Sequence, residues 1–523
     1  MSSDFDVAVI GYGPTGLVAA SALGAKGHRV LVIERQPGLY GLPRLTHIDG
    51  ETARIIRDVA DIDKALKVAK PVDSYKWMGA DGEDLLTVDW SGVSSGYAAH
   101  WVIFQPDIED AIDERVRSYP NVTVMQGWNL DHISQDANEV TLQVRKWSRQ
   151  ENESWAEEGE AKSFTARYVF AADGSNSFVR ESLGIQRDDL NSNDVWLNLD
   201  CEILRPLPER FAQSSQFCDP VRPNMFMPIG FGRERFELAV IPGDDVDEMK
   251  TPEYAWRWFN ERHGLGPDDV KILRQIIYTF SARTAETWRV GRVLLGGDAV
   301  HSMPPYMGQG ACSGMRDGIN VAWKLDLVLS GKADDSLLDA YEIERRPHAR
   351  QIQEVSVFLG QLANTLDAQV AAERDIAFRS GNVPPPPPFP TITGGVISTQ
   401  VDGTLSPMAG ELAPHGRVNY QGREGLFDAV VGSGFSLITR RPAESLLDQE
   451  QLDFLHFINA TLATLDKSDP NGLTELEGTY EEFFTSHGAD ALISRPDFNL
   501  FGVASEAALP SLVNELRDKL AIT

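Results

Sequence analysis

The stretch Phe5-Asp-Val-Ala-Val-Ile-Gly-Tyr-Gly-Pro-Thr-Gly-Leu17 decides the fold at the start of this chain. A short apolar run, typical of a buried parallel strand, leads directly into a G-x-G-x-x-G pattern made by Gly11, Gly13 and Gly16. The next residues, 14–26, carry apolar side chains at helical spacing. A strand, a glycine turn and a helix in this order predict a Rossmann-like dinucleotide-binding unit.

Each residue of the turn has an expected role toward a pyrophosphate. Gly11 permits the tight turn, Gly13 lets the backbone approach the phosphates, and Gly16 allows the helix to pack closely. Pro14 and Thr15 open a helix whose N-terminus favours negative charge. These five residues are therefore predicted to bind a dinucleotide cofactor.

A second apolar strand, residues 29–33, ends in Glu34 and Arg35. A carboxylate at this place can accept hydrogen bonds from ribose hydroxyls, so both residues are expected at the cofactor. The alternative is a glycine-rich turn followed by an unrelated glutamate. The complete order of strand, turn, helix, strand and acid argues against that alternative.

Length and charge limit the function. A chain of 523 residues is too long for one ordinary core, which predicts two or three domains. Its 48 basic and 77 acidic residues give a net charge of -29, which disfavours nucleic acids and anionic membranes as partners. An acidic small-molecule substrate would need a local group of Arg or Lys.

Cysteine usage and the termini indicate a cytoplasmic protein. The three cysteines, Cys201, Cys218 and Cys312, are far apart and include no C-x-x-C, which argues against disulfides, a metal site and dithiol chemistry. The N-terminus lacks a basic, apolar signal sequence. No run of about 18 apolar residues predicts a membrane span.

Two further motifs follow predicted strands. Asp173-Gly174 ends one strand, Gly297-Asp298 ends another, and the segment 304–310 then supplies Pro-Pro-Tyr-Met-Gly-Gln-Gly. Together with the first turn, these motifs resemble the group A flavoprotein monooxygenases, which are single-component aromatic hydroxylases. Within that family the stretches 39–47, 104–106 and 308–317 are most similar to the hydroxylases of 3-(3-hydroxyphenyl)propionate.

The resemblance implies FAD as cofactor and NADH or NADPH as a transient co-substrate without a fold of its own. Asp298 would bind the ribityl chain, and Asp173 would shape a turn near the pyrophosphate, with a pure turn role as the alternative. Arg44 and Gln105 are expected near the flavin, although many members have Arg in place of Gln105. The segment around the isoalloxazine would include four further cofactor residues: Pro305, Gly308, Gly310 and Ala311. The N-terminus of the helix that contains Asp317 and Asn320 would favour negative charge on the reduced flavin, and these two residues can equally serve capping and packing.

The implied reaction is hydroxylation of a phenol ortho or para to its hydroxyl by O2, through a flavin C4a-hydroperoxide. A base that ionises the phenol would help, and His47 and His301 are the candidates. Either histidine can instead be a packing residue. Arg180 occupies a place where the family has a structural or cofactor-side arginine.

The substrate pocket is expected to be lined by apolar and aromatic residues, which are as often ordinary core. The candidates are Phe217, Met225, Met227, Phe236 and Tyr306. A substrate carboxylate would require an arginine. Arg205, Arg222, Arg233 and Arg235 are available, and the sequence does not choose among them. If none lines the pocket, a neutral phenol is expected.

The predicted fold class is α/β, with a split FAD-binding domain and an inserted antiparallel-sheet substrate domain. The tail resembles the thioredoxin-like C-terminal domain of phenol hydroxylase relatives, because residues 493–498 match the Arg-Pro-Asp phrase of that group. The tail lacks C-x-x-C, so packing or homodimerisation is its expected role. The predicted boundaries are FAD-binding 1–71, substrate 72–100, FAD-binding 101–185, substrate 186–285, FAD-binding 286–380, a Pro-rich linker 381–394 and the thioredoxin-like domain 395–523.

Several local elements are also predicted. An exposed hairpin loop is expected over 150–162, a long helix over 341–377 and a helix over 446–465.

Other functions on the same scaffold stay open. A halogenase or a Baeyer–Villiger oxygenase is the enzymatic alternative, although Trp256-Arg257-Trp258 does not continue into the halogenase signature Trp-x-Trp-x-Ile-Pro. A flavin-binding protein without turnover is the third hypothesis, and the intact loops count against it.

Overall fold

A computed structural model describes residues 3–150, 155–383, 387–465 and 472–522. The prolines 384–386 of the predicted linker lie outside the described residues. Within the described ranges, no helix combines the length and the apolar character needed to cross a membrane.

The first sheet carries the predicted Rossmann-like unit. Five of its strands are parallel, and the inner ones are apolar runs buried on both faces. Their spatial order is Val122–Gln126, Val30–Glu34, Phe5–Ile10, Trp155–Ala171 and Val293–Leu295. Three further strands extend this sheet antiparallel to their neighbours: Trp128–Gln135, Val140–Arg149 and Arg289–Val290.

Helix Pro14–Ala25 packs against helix Gly310–Leu329 over this sheet. Glycine permits the close contact, since a Cβ at Gly318 would lie 2.8 Å from the carbonyl oxygen of Thr15. The described chain contains twelve other α-helices: Gly50–Val59, Ile62–Ala65, Gln105–Ser118, Phe178–Ser182, Val246–Met249, Pro252–Trp258, Asp339–Ala363, Ala368–Arg379, Phe427–Val430, Gln449–Phe457, Thr479–His487 and Leu509–Lys519.

The second sheet is almost entirely antiparallel, as the alternating apolar and polar residues between 190 and 285 predict. Its strands in spatial order are His301–Ser302, Val270–Ala285, Arg187–Ile203, Arg233–Ala239, Asn224–Pro228, Ser214–Phe217, Ser74–Met78 and Asp84–Asp89. One side of the sheet packs against a core of its own, which contains Phe226, Phe236 and Phe259. The opposite side of the sheet faces a cleft at the carboxyl ends of the parallel strands in the first sheet.

Short strands connect the two large sheets. They are His47–Asp49, Lys70–Pro71, Val93–Ser94, Tyr97–Ala98 and His100–Val102. His47–Asp49 and Lys70–Pro71 both pair with His100–Val102.

The C-terminal unit contains a four-stranded sheet in the order Thr461–Thr464, Ser436–Thr439, Ala491–Ser494 and Leu500–Ala504. The first two strands are parallel, and the other two pairings are antiparallel. A smaller sheet joins Arg417–Tyr420, Arg423–Leu426 and Thr474–Glu475. Apolar packing continues from the first unit into this one, where Trp323 meets Phe435 edge to face at 5.5 Å.

Three local predictions are corrected. Residues 155–162 belong to strand Trp155–Ala171, because polar side chains also suit the solvent-facing side of a long hairpin; 151–154 lie outside the described residues. The helix predicted over 341–377 is interrupted at 364–367 and restarts where Asp367 caps the next helix. The helix predicted over 446–465 ends at Phe457, and a strand follows.

Candidate functional site

A cleft of about 990 Å³ lies between the carboxyl ends of the parallel strands and the second sheet. Gly11, Glu34, Asp173 and Asp298 each stand at or just after the end of one of these strands, and all four line the cleft. Ligands of open α/β sheets bind at such an edge. The sequence motifs therefore converge on one place.

In the glycine turn, only Gly13 has open space beside it; the backbone packs tightly around Gly11 and Gly16. Gly11 has a φ of +93°, and a Cβ there would lie 2.3 Å from the Ala172 carbonyl oxygen. At Gly16 a Cβ would lie 2.0 Å from the carbonyl oxygen of Gly11, whereas at Gly13 it would meet nothing within 4 Å. Helix Pro14–Ala25 begins here without a side-chain cap, so its first N–H groups are available to an anion. These features fit a pyrophosphate.

Glu34 is held at the end of its strand by two backbone N–H groups. Its carboxylate accepts from Tyr12 at 2.9 Å and from Gln36 at 2.8 Å. Arg35 is exposed and lines the same part of the cleft. The fixed carboxylate keeps lone pairs for ribose hydroxyls.

Asp298 points into the cleft. Its side chain is exposed there but is surrounded by protein on the other sides, and this loss of solvation raises the pKa of the carboxyl despite the opposing charges of His301 and Arg44. Hydroxyl donors in the cleft would stabilise its ionised form. This chemistry fits a polyhydroxyl chain such as the ribityl chain of FAD.

Asp173 has a clear structural contact. One carboxylate oxygen accepts from the N–H of Val179 at 3.1 Å, at the start of helix Phe178–Ser182. Burial raises the pKa of Asp173, although Ser177 and the backbone donate to it. Asp173 lines the cleft as well, so the turn role and a place beside the cofactor are compatible. Arg180 is buried and donates to the carbonyl of Ala299 at 3.0 Å, which is a structural contact.

Gln105 fixes the loop that carries Arg44. The amide oxygen of Gln105 accepts from the backbone N–H groups of Arg44 and Leu45, at 2.8 and 2.7 Å. Its amide nitrogen donates to Glu109 at 2.7 Å. The guanidinium of Arg44 stacks 3.9 Å above the Tyr40 ring at the cleft. Gln105 thus shapes the cleft wall chiefly by holding backbone.

The predicted flavin-wrapping segment does line the cleft, with Pro305, Gly308, Gly310 and Ala311 all on its wall. Gly308 has a φ of +64°, and helix Gly310–Leu329 starts immediately afterwards without a side-chain cap.

Asp317, in that helix, supports the site from behind. It accepts from the N–H of Gly297 at 3.0 Å and from Nε2 of His301 at 2.7 Å. Nε of Arg345 donates to the other carboxylate oxygen of Asp317 at 2.9 Å. The charges of His301 and Arg345 lower the pKa of Asp317, although its burial opposes this effect. Asn320 lies further along and donates to Glu344 and Asp497. Both residues therefore hold elements together.

The two candidate bases occupy different environments. His47 lines the cleft, with its Nε2 at 2.9 Å from Nδ1 of His100 and its Nδ1 facing Gly308. Burial, followed by the charge of His100, lowers the pKa of His47 to about 4. His301 is wholly buried in its pair with Asp317 and is not among the described residues that line the cleft. The prediction of His301 as a base is thus corrected.

Side chains alternate between the two faces of a strand, and this alternation corrects two of the residues predicted to line the substrate pocket. Met225, Met227 and Tyr306 line the cleft, as predicted. Phe217 and Phe236 pack instead in the core on the opposite side of the second sheet. Successive side chains of a strand point to opposite faces, so the neighbours of Phe236 reach the cleft in its place.

Among the four candidate arginines, only Arg235 lines the cleft. Its guanidinium makes two bonds to Asp200, at 2.6 and 3.1 Å, and donates to the carbonyls of Arg44 and Pro43. It is therefore an anchor for the loop that carries Arg44. The other three lie elsewhere: Arg205 and Arg222 pair with Asp269 and Asp244, and Arg233 stacks on Phe104.

Several cleft residues were missed from the sequence. Trp196, Asn198, Glu237 and Tyr75 all line it. The period-two pattern of residues 233–239 could have indicated Glu237, but it does not tell which face is buried.

The described residues contain no cluster of three or more His, Cys, Asp or Glu side chains that could hold a metal ion. The three cysteines are free and buried.

Comparisons with known families agree with this architecture. The family described as "FAD binding domain" matches residues 4–356, and that described as "HcaD C-terminal domain" matches residues 410–519.

Two relatives align along nearly the whole chain. A probable NADH-specific resorcinol 4-hydroxylase of Rhodococcus jostii (strain RHA1) is 33% identical over 522 residues, covering 98% of this chain and 94% of that protein. The 3-(3-hydroxy-phenyl)propionate/3-hydroxycinnamic acid hydroxylase of Escherichia coli (strain K12) is 29% identical over 540 residues, covering 99% and 95%. Aklavinone-11 hydroxylase, solved with FAD and aklavinone, shares the fold with a TM-score of 0.77 at 22% identity, over 99% of this chain and 100% of that one.

Proposed function

We propose, from the premise that the chain belongs to the FAD binding domain family and within it to the FAD-dependent aromatic hydroxylases, that it hydroxylates a phenolic compound with NAD(P)H and O2. The observation that carries the proposal is the cleft itself. It contains open space at Gly13, the carboxylates of Glu34 and Asp298, and an apolar wall that includes Met225 and Met227. Cofactor and aromatic ring would therefore meet in one space.

The cofactor would be held by backbone at one end and by side chains along its length. The N–H groups at the start of helix Pro14–Ala25 would bind the pyrophosphate, and Glu34 would bind the ribose. Asp298 would bind the ribityl chain. The segment Pro305–Ala311, where Gly308 and Gly310 carry no side chain, would lie along the isoalloxazine, with Arg44 opposite.

When bound, FAD supplies the electron transfer from NAD(P)H and the activation of oxygen. The protein positions the ring and excludes water. We assign His47 as the proton acceptor for the phenol: it lies at the cleft wall beside Gly308, and its lowered pKa keeps the imidazole neutral near pH 7. A Cβ at Gly308 would lie 2.8 Å from Nδ1 of His47, so glycine lets the segment Pro305–Ala311 pack directly against the imidazole ring.

The C-terminal unit is proposed to be a thioredoxin-like domain. Its sheet joins a parallel βαβ pair to an antiparallel hairpin, which supports this assignment. Lacking C-x-x-C, it would serve packing or homodimerisation. The seven residue ranges given for the domains and linker are proposed as well, and a cytoplasmic location is proposed from the need for NAD(P)H.

The test is turnover by the purified full-length protein after loading with FAD. NADH and NADPH oxidation would be followed with a panel of phenols that includes resorcinol and 3-(3-hydroxyphenyl)propionate. We expect one nucleotide to be oxidised faster when a phenol is added, and mass spectrometry to find a product one oxygen atom heavier. Nucleotide oxidation that no phenol stimulates, in FAD-loaded protein, would contradict the proposal.

A further inference from the structure

Two polar side chains and a methionine lie in a row on the cleft-facing side of the second sheet. Glu237 on strand Arg233–Ala239 is paired with Asn198 on one neighbouring strand and with Met225 on the other. Directly paired residues point to the same face, so the three side chains lie side by side. All three line the cleft, and Glu237 is only 7% exposed. A carboxylate is thus nearly buried within the apolar part of the cleft wall.

The protein leaves this carboxylate poorly satisfied. The closest cation, the Nη1 of Arg235, is 3.6 Å away, which is too far for a good hydrogen bond. Arg235 already donates to Asp200 and to two backbone carbonyls. Oδ1 of Asn198 is buried as well and has no hydrogen-bond partner in the described part of the chain. Buried polar groups normally have partners, so a missing donor is expected in the cleft.

We propose that Glu237 and Asn198 bind a hydroxyl group of the aromatic substrate, so that the cleft selects uncharged hydroxyaromatic rings over rings that carry a carboxylate. This proposal rests on the proposed hydroxylase function and names its substrate class. A hydroxyl can donate to a carboxylate, whereas a second carboxylate can only repel it.

The charges around Glu237 support this selection. Arg235 and Arg274 are the cations beside it, and Asp200 lies 2.6 Å from the first and 3.6 Å from the second. Arg274 also donates to the carbonyl of Pro43. The two positive charges are therefore matched by Asp200 and Glu237. A substrate carboxylate placed beside Glu237 would find both of these cations already paired and would be repelled by the two acids, which is costly in a buried position.

This arrangement also predicts a pH dependence of binding. Burial raises the pKa of Glu237 to about 7, although the charge of Arg235 opposes the rise. The other charged or titratable groups that face it are Asp200, Arg274 and Tyr75, and burial raises the pKa of Tyr75 above its ordinary value of 10. The ionised carboxylate is the stronger acceptor, so a neutral phenol should bind more tightly as the pH rises through about 7.

The experiment measures dissociation constants on the FAD-loaded full-length protein, from the change in flavin absorbance on binding. The ligands are resorcinol and 3-(3-hydroxyphenyl)propionate, between pH 6 and pH 8. The variants are Glu237→Gln and, as a matched control on a neighbouring strand outside the cleft, Glu202→Gln. Nucleotide oxidation is recorded in the same samples.

We expect the native protein to bind resorcinol more tightly than the propionate, with resorcinol binding that strengthens with pH. Glu237→Gln should weaken the binding of resorcinol by about tenfold to 100-fold and remove its pH dependence. It should also reduce the preference for resorcinol over the propionate. Glu202→Gln should change none of these. The inference is overturned if the native protein prefers the propionate, or if Glu237→Gln retains the native preference and pH profile. The native ligand preference needs no variant, so it decides the matter even if Glu237→Gln does not fold. Absence of any phenol-stimulated turnover in the native protein would instead overturn the proposed function.

Discussion

Nε2 of His47 lies 2.9 Å from Nδ1 of His100, and the two rings stack with centroids 5.1 Å apart. The His100 ring stacks in turn on Trp90 at 4.6 Å. His47 is buried at the cleft, whereas His100 is half-buried. The contact fixes the ring of His47 and provides a second imidazole that can share its proton.

Replacement of His47 should reduce catalysis more than binding. If His47 accepts the phenol proton, His47→Gln should lower kcat by about 100-fold to 10,000-fold and change KM little. Because the pKa of His47 is lowered to about 4, its protonation should not limit the native rate above pH 5 to 6. Steady-state rates across pH, with product analysis, check both points. His132→Gln, at an exposed position, is the control, and equal rates for the two variants would remove His47 from the mechanism.

The glycine turn gives a prediction about FAD affinity. A Cβ at Gly13 would enter open space in the cleft, where the pyrophosphate is expected. Gly13→Ala should therefore fold normally but bind FAD about tenfold or more weakly, which corresponds to about 1.4 kcal/mol. Fluorescence titration of the apoprotein with FAD measures the change. Gly266→Ala, outside the cleft and with only one atom within 4 Å of its Cβ position, should bind FAD like the native protein.

Substitutions of two neighbouring positions in the second sheet should differ in their effect on substrate affinity, because one side chain faces the cleft and the other faces the core. Met227 faces the cleft but is only 6% exposed, so Met227→Ala should raise the KM for the phenol and also lower the free energy of unfolding by about 2–5 kcal/mol. Phe236 packs in the core behind the sheet, so Phe236→Ala should lower the free energy of unfolding by about 3–5 kcal/mol. Urea unfolding and steady-state kinetics on both variants test the assignment. Loss of substrate affinity in a folded Phe236→Ala protein would place that ring at the cleft after all.

The C-terminal unit is joined to the rest by a buried ion pair. Nη2 of Arg495 lies 2.6 Å from Glu344 in helix Asp339–Ala363, and neither side chain is exposed. Arg495→Met should lower the free energy of unfolding by about 3–5 kcal/mol, since the buried acids Glu344 and Asp497 would keep, among the described residues, only Lys324 as a cation nearby. The exposed pair of Arg517 with Glu450 is the control, and Arg517→Met should cost about 1 kcal/mol or less. If chemical denaturation shows that Arg495→Met and Arg517→Met lose similar amounts of unfolding free energy, the buried pair does not hold the C-terminal unit in place.

Buried neutral histidine should make the protein sensitive to acid. Burial lowers the pKa of His263 from 6.5 to about 3. The unfolded chain therefore binds a proton that the folded chain does not, and the free energy of unfolding should fall as the pH drops from 6.5 toward 3. The slope from this residue approaches about 1.4 kcal/mol per pH unit. His263→Phe should lose this part of the slope in denaturation series across pH, whereas His132→Phe should keep it.

The sequence by itself determined what depends on local backbone geometry. The turn at Gly11, Gly13 and Gly16 needs residues without side chains, and only a few spacings satisfy that need. The strand ends that carry Glu34 and Asp298 follow from short apolar runs with an acid behind them. Parallel strands bring their carboxyl ends to one edge, so the order of residues along the chain is enough to place these motifs together.

Only the tertiary structure decided what depends on pairing between distant segments. Alternation along 233–239 defines two faces, but the pairing with distant strands decides that Glu237 faces the cleft and Phe236 the core. The same holds for Arg235, which is bound by Asp200 and by the loop at Pro43, and for His301, which is buried against Asp317. Side-chain chemistry is readable from the sequence, but a group's partners and solvation are set by residues as far away as the 192 positions that separate Arg235 from Pro43. These partners decide whether a side chain binds a ligand or holds the fold.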